Sequence, residues 1–77
     1  MTHKEMLEGF AEAGVPEYAF FLGPVAQAEM VNGMHFEQDH WMVYYRERGE
    51  LSNVKVFKVE EEACDELYRR VMRSMNQ

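Results

Sequence analysis

The stretch His40-Trp41-Met42-Val43-Tyr44-Tyr45 decides how this chain folds. Aromatic and β-branched side chains are concentrated in it, and such residues suit a pleated, half-buried strand. Because side chains alternate along a strand, the odd-numbered residues of the stretch would share one face and the even-numbered residues the other. The stretch therefore predicts a strand at the centre of the fold.

The segments on either side of it predict two further strands. Upstream, Gln38-Asp39 reads as the turn before the strand, Met34–Phe36 leads into that turn, and Asn32-Gly33 carries a turn signal of its own. Downstream, 51–53 reads as a turn and 54–59 as the next strand. Since both faces of that strand are apolar, we expect it to be central or closely covered.

Two weaker signals precede these strands. The segment 18–22 is aromatic, ends at Gly23-Pro24, and suits a short strand or an extended packed segment. The segment 25–30 is compatible with either a short helical turn or a strand. The sequence therefore predicts three or four strands in total.

A helix is predicted at each end of the chain. Thr2 and Glu5 have the spacing of a capping box, and Gly14 can take the left-handed conformation that ends the first helix. The second helix covers 60–75, with an apolar stripe, three glutamates in its first turn and three arginines toward its end. Val59 at its start offers no capping side chain.

The predicted fold class is therefore α+β in a single domain, 1–77. An N-terminal helix is followed by a three- to four-stranded antiparallel sheet and a C-terminal helix packed on one sheet face. The other face of the sheet is then expected to be open or to meet a partner.

Composition restricts the classes of function. With 77 residues, 47% of them hydrophobic, the chain can build one core but has little surface for a deep catalytic cleft. The net charge is −6, and residues 1–39 carry seven acids against Lys4 alone. Nucleic acid and membrane are thus not expected as partners, whereas a basic protein is. Solubility is the simpler explanation of the acids.

Nothing in the sequence points to catalysis, a cofactor or a metal. Cys64 lies on the apolar stripe of the second helix, where a buried structural thiol is the usual case. His3, His35 and His40 match no metal-ligand spacing. One cysteine and no apolar leader favour a cytoplasmic location. We therefore expect a protein that binds another macromolecule and is not an enzyme.

The block Trp41–Gly49, written WMVYYRERG, resembles a pattern in small bacterial proteins, as do Phe57 and the following Glu60–Cys64. Those proteins are immunity proteins of contact-dependent growth inhibition and other polymorphic toxin systems. The likeness covers roughly 4–72, including the Val15-Pro16 step after the first helix. The family pattern often has Ser or Asp just before the acidic run, where this chain has Val59.

The resemblance implies an antidote that binds the C-terminal domain of a cognate toxin and blocks its active site or substrate groove. Many such toxins are nucleases, and a ribonuclease is the preferred target here. Carboxylates can occupy positions meant for phosphates, so the acid-rich first half of the chain agrees with this interpretation. Acids and one aromatic residue on or beside the sheet are the expected partner contacts: Glu29, Glu37, Asp39, Tyr44, Glu47 and Glu50.

Two other functions fit the same sequence. One is an acidic nucleic-acid mimic that inhibits a different basic protein. The other is a small structural homodimer formed through the open sheet face, although dimerisation is also compatible with an antidote. The block Trp41–Gly49 could equally be ordinary core and turn, with Gly49 supplying a positive φ.

Overall fold

The computed structural model describes residues 1–76, in which two helices cover one face of a four-stranded sheet. This confirms the predicted α+β class with both helices in place. The helices and strands, in chain order, are α1 His3–Glu12, β1 Phe20–Leu22, β2 Val31–Glu37, β3 His40–Glu47, β4 Glu50–Phe57 and α2 Glu60–Met75. Short 3₁₀ turns at Glu17–Ala19 and Val25–Gln27 precede and follow β1.

The sheet is mixed, which corrects the expectation of a wholly antiparallel one. The strand order is β1-β2-β3-β4, and β2, β3 and β4 pair antiparallel as predicted. However, β1 runs parallel to β2, with Phe20 opposite Asn32 and Leu22 opposite Met34. The physical reason is the connection: residues 23–30 cross the sheet and bring the chain back to the end at which β1 begins.

The turn predicted at Asn32-Gly33 is wrong, because both residues lie inside β2. A Cβ atom on Gly33 would stand 2.6 Å from the Tyr44 hydroxyl oxygen and 2.7 Å from the Phe21 carbonyl oxygen. Glycine in a strand interior often marks such a close approach. Gly33 is therefore needed for packing against β1 and β3.

Two tight turns join the antiparallel strands. Gln38 and Asp39 have φ of 50° and 68°, and Arg48 and Gly49 have φ of 52° and 81°. Positive φ at both central residues is the geometry that matches the twist of a hairpin. The predicted turn at Gln38-Asp39 is confirmed, and the strand that follows it extends two residues beyond Tyr45.

The predicted turn at 51–53 is wrong, since these residues belong to β4. The register between β3 and β4 shifts between Val43 and Tyr45, and Asn53 takes a φ of 51° at this irregularity. The strand is also an exposed edge strand and not a covered one. Its apolar residues on both faces therefore do not indicate burial.

The main core lies between the helices and one face of the sheet. Met6 and Phe10 of α1, and Leu67 of α2, are at most 2% exposed and pack with Met34 and Val43 of the sheet. The side chains alternate across β3 as predicted, because Val43 faces this core and Met42 and Tyr44 face a second one. The predicted capping box of α1 and the uncapped Val59 are both confirmed.

The second core covers the sheet face that was expected to be open. Residues 23–30 lie over it, and two hydrogen bonds hold them there. The Tyr44 hydroxyl donates to the Gly23 carbonyl at 2.8 Å, and Arg46 Nη1 donates to the Val25 carbonyl at 2.7 Å. Val56 on β4 remains 56% exposed. The open part of this face is therefore reduced to the side of β4.

Candidate partner-binding site

The two ends of the sheet carry different groups of charged side chains, and α2 is the main reason. This helix follows β4 directly, so its three glutamates at 60–62 start at the end where Phe57 pairs with Trp41. Its arginines lie at the other end, where Arg69 and Arg73 line the same groove as Tyr45. We name these the Trp41 end and the Tyr45 end.

An apolar pocket of about 290 Å³ opens at the Trp41 end, between the first turn of α1 and the sheet. Phe36 and Trp41 are opposite each other on β2 and β3, with ring centroids 5.0 Å apart and planes tilted by 56°. Phe36 is 48% exposed and Leu22 is 40% exposed. The remaining lining residues are His3, Gly23, Met34 and His35.

None of the described residues that line this pocket is acidic, but three carboxylates belong to residues next to its lining, and we call them its acidic rim. Glu37 and Asp39 are exposed in the segment that joins the pocket residues Phe36 and Trp41. On the helical side, Glu60 Oε2 lies 4.0 Å from Nδ1 of the pocket residue His3. The pocket is therefore an apolar recess with an acidic rim.

The N-terminal amine sits within a further group of acids beside this rim. The Met1 amine donates to Asp65 Oδ1 at 2.5 Å. This hydrogen bond, with the charges of Asp65, Glu61 and Glu5, raises the pKa of the amine above its ordinary value. Hydrogen bonds from Thr2 lower the pKa of the Glu5 carboxyl. One cation thus faces several carboxylates contributed by both helices.

The six predicted contact residues do not form one patch. Glu37 and Asp39 lie at the Trp41 end, whereas Glu47 and Glu50 line a recess with Arg48 at the opposite end of β3. A strand of this length separates the two sets by roughly 23 Å. Glu29, which precedes β2, is exposed at the same end as Glu47.

Tyr44 requires a correction. The side chain is 0% exposed, so it is not accessible as a contact for a partner. Its hydroxyl is used internally, on Gly23, and burial raises its pKa to about 12. An accessible aromatic residue of the sheet is Phe36, 48% exposed, which sequence reasoning missed. The sequence did contain a signal for it. Phe36 is two residues after Met34, so both lie on the same strand face, and Phe36 is the one beside the Gln38-Asp39 turn.

The cysteine and the possible metal-ligating side chains do not add a reactive group or a metal cluster to the described residues. Cys64 is fully buried, and burial raises the pKa of its thiol to about 11, so it does not have the character of a nucleophile. Within residues 1–76, no three His, Cys, Asp or Glu side chains are grouped so as to hold a metal ion. None of the helices described is both long and apolar enough to cross a membrane.

No protein-family model matches this chain, and neither curated proteins nor solved structures show a significant match to it.

Proposed function

We propose that this protein is an immunity protein: an antidote that binds and neutralises the C-terminal domain of a cognate toxin, a nuclease and by preference a ribonuclease. The Trp41 end is the binding surface. The observation that carries the proposal is the apolar pocket with exposed Phe36 at its mouth and the carboxylates of Glu37 and Asp39 at its rim.

The arrangement has the features of a protein-binding hot spot. Aromatic residues in a pocket supply most of the binding energy at interfaces, and charges at the rim select the partner and speed its approach. A nuclease presents a basic groove for the nucleic-acid backbone. An acidic rim complements such a groove, and an aromatic anchor at its centre would exclude substrate.

The resemblance of Trp41–Gly49 to the immunity proteins supports the same function. In the structure this block runs from the pocket residue Trp41, along β3, to the turn at Gly49. Most of the block is core and turn, so the likeness concerns the scaffold. The binding surface is proposed from the pocket and its charges, and not from the sequence of the block.

The first experiment is a pulldown with tagged protein from the native lysate, followed by a nuclease assay on the captured protein. Stoichiometric recovery of the C-terminal fragment of a large secreted protein, with its activity blocked by this chain, is the expected result. Recovery of an intracellular nucleic-acid enzyme would instead favour the acidic-mimic function. Recovery of this chain alone would contradict both.

A pair of variants then locates the surface on the captured partner. The change Glu37→Lys with Asp39→Lys should weaken binding about tenfold or more at low salt and reduce its salt dependence. The matched control is Glu47→Lys with Glu50→Lys, which reverses the same charges at the opposite end of β3. Equal loss in both double variants would mean that general charge, and not the Trp41 end, governs binding.

The edge strand β4 favours a second candidate, a homodimer. Leu51, Val54 and Val56 are 45%, 42% and 56% exposed on this strand, and one side of its backbone is not paired within the sheet. Exposed apolar edge strands are templates for pairing with another chain. Sedimentation analysis of the parent and of Val56→Lys decides it, because a dimer through β4 would dissociate in the variant.

A further inference from the structure

A second recess, unrelated to the proposed partner surface, lies at the Tyr45 end. It is a groove of about 720 Å³ between the second half of α2 and the strands β2, β3 and β4. Four cations line it against a single carboxylate, Glu66. In a protein with a net charge of −6, this is a local excess of positive charge.

Both carboxylate oxygens of Glu66 already accept hydrogen bonds from arginines of the groove. Its side chain is 8% exposed, Arg70 Nε donates to Oε2 at 2.7 Å, and Arg69 donates to Oε1. Lys55 Nζ lies 3.9 Å from the same Oε1. The two carboxylate oxygens therefore already have cationic partners, and the positive charge of the groove exceeds what Glu66 can balance.

Arg70 shows that this charge is not fully compensated. Its side chain is 11% exposed, and its Nη1 is buried without a hydrogen-bond partner in the part of the chain that the structure describes. Burial and the neighbouring charge of Arg73 lower the pKa of its guanidinium. A buried donor without a partner is costly, so a nearby anion would stabilise this side of the groove.

The cations approach the groove from two walls. Arg69 and Arg73 are one turn apart on α2, and Lys55 extends from β4 opposite them. Arginine and lysine in such a clamp are typical of phosphate binding, in which guanidinium groups donate paired hydrogen bonds to the oxygens. An excess of more than one positive charge suits a dianion better than a single carboxylate.

The rest of the lining indicates what else the ligand contains. The half-buried Tyr45 and the exposed Val54 present apolar surface, and Asn32 and Ser74 add hydrogen-bonding groups. The volume falls in the range of small-molecule sites. Tyrosine rings commonly stack on flat aromatic groups of nucleic-acid components.

We propose that this groove binds a phosphate ester that carries a flat aromatic group, of which a nucleoside monophosphate is the simplest example. Arg69, Arg73 and Lys55 hold the phosphate, and Tyr45 supports the flat group. The site does not depend on the proposed antidote function, because its residues lie at the end of the sheet opposite the Trp41 pocket.

The test is calorimetric titration of the purified protein with adenosine monophosphate, a ribose phosphate and adenosine, with amide NMR spectra to locate the site. Saturable binding of the monophosphate, with shifts at Tyr45 and along the second half of α2, is the expected result. Arg73→Gln should weaken this binding about tenfold, since a charge-assisted contact is lost. Arg48→Gln removes the same charge from an exposed turn outside the groove and should leave binding unchanged.

Four results would overturn the proposal. If adenosine binds as well as the monophosphate, the groove does not recognise phosphate. If the ribose phosphate binds as well as the monophosphate, the flat group is not recognised and Tyr45 has no part in binding. If the monophosphate shows no saturable binding, or binds Arg73→Gln as tightly as the parent, there is no such site. Unchanged NMR spectra of Arg73→Gln outside the groove establish that the variant is folded.

Discussion

The recesses at the Trp41 end and the Tyr45 end lie on the same sheet face, yet they offer opposite chemistry. At the Trp41 end, exposed Phe36 opens an apolar pocket with Glu37 and Asp39 beside it. At the Tyr45 end, arginines and Lys55 surround a buried carboxylate. A net charge of −6 therefore describes neither recess, and a partner would meet two different surfaces.

The difference originates in how α2 is stabilised. Acids in the first turn and bases in the last turn of a helix both complement its dipole. In α2 this means Glu60, Glu61 and Glu62 at one end and Arg73 at the other. Because the helix spans the sheet from one end to the other, this rule places acids of α2 at the Trp41 end and its arginines at the Tyr45 end.

The largest expected effect concerns the Tyr45 end. Glu66→Gln removes the carboxylate that Arg69 and Arg70 share and leaves the guanidinium of Arg70 buried without an opposite charge. Loss of one partner of a buried ion pair costs about 3–5 kcal/mol. Urea unfolding should show a loss of about 3 kcal/mol. Glu62→Gln, an exposed residue of the same helix, is the control and should stay within about 0.5 kcal/mol of the parent.

The next effect concerns affinity at the Trp41 end. Phe36→Ala removes the exposed ring of the pocket and should weaken binding of the captured partner by about 2 kcal/mol, the threshold for an interface hot spot. Leu51→Ala is the matched control, because Leu51 is 45% exposed on β4 at the other end of the sheet. An unchanged dissociation constant for Phe36→Ala would remove the pocket from the interface.

A smaller effect on stability is expected at the start of α1, which forms one wall of the same pocket. Thr2 caps α1, whose first residue, His3, lines the pocket. Thr2→Ala should lower the free energy of unfolding by about 1 kcal/mol, because the first turn loses its capping oxygen. Thr2→Ser keeps that oxygen and should restore most of the loss. A fully stable Thr2→Ala protein would show that packing alone holds this turn.

The smallest effect is a pH dependence at the Trp41 end. The pKa of the Met1 amine is raised in the folded state, so its contribution is complete below the ordinary value of 8.0 and is lost as the pH rises through the folded value. The melting temperature should therefore decline slightly above pH 8. In Asp65→Asn this part of the decline should be smaller, because Asp65 is the largest cause of the raised pKa. Burial is the largest cause that raises the pKa of Cys64 to about 11 and Asp65 is a smaller one, so most of the decline due to Cys64 is common to both proteins. Parallel curves for the two proteins would contradict the prediction.

Local signals in the sequence were sufficient for much of the fold. The capping box of Thr2 and Glu5, the bounds of α2 and the alternation of side chains along β3 each depend on neighbours within a few residues, and each is confirmed. The exposure of Glu37 and Asp39 was predictable from the same local reasoning, because a turn between two strands is exposed.

The errors share a different cause. Asn32-Gly33 is a dipeptide typical of turns, but Gly33 is needed here because Tyr44 and the Phe21 carbonyl of β1 approach it closely. Both residues are distant from Gly33 in sequence. Tyr44 is predicted to be an accessible aromatic residue, but residues 23–30 cover its side chain. Long-range packing of this kind leaves no local pattern.

Interactions between near neighbours in the chain are enough to fix the two helices, the central hairpin and the α+β class, because periodicity, capping and turn chemistry are local. The tertiary structure alone decided that β1 runs parallel to β2, that Tyr44 is buried, and that Phe36 meets Trp41 at one end of the sheet. It also decided that Lys55 and the arginines share one groove at the other end. Such pairings depend on which distant surfaces come into contact, and that is set by the packing of the whole chain.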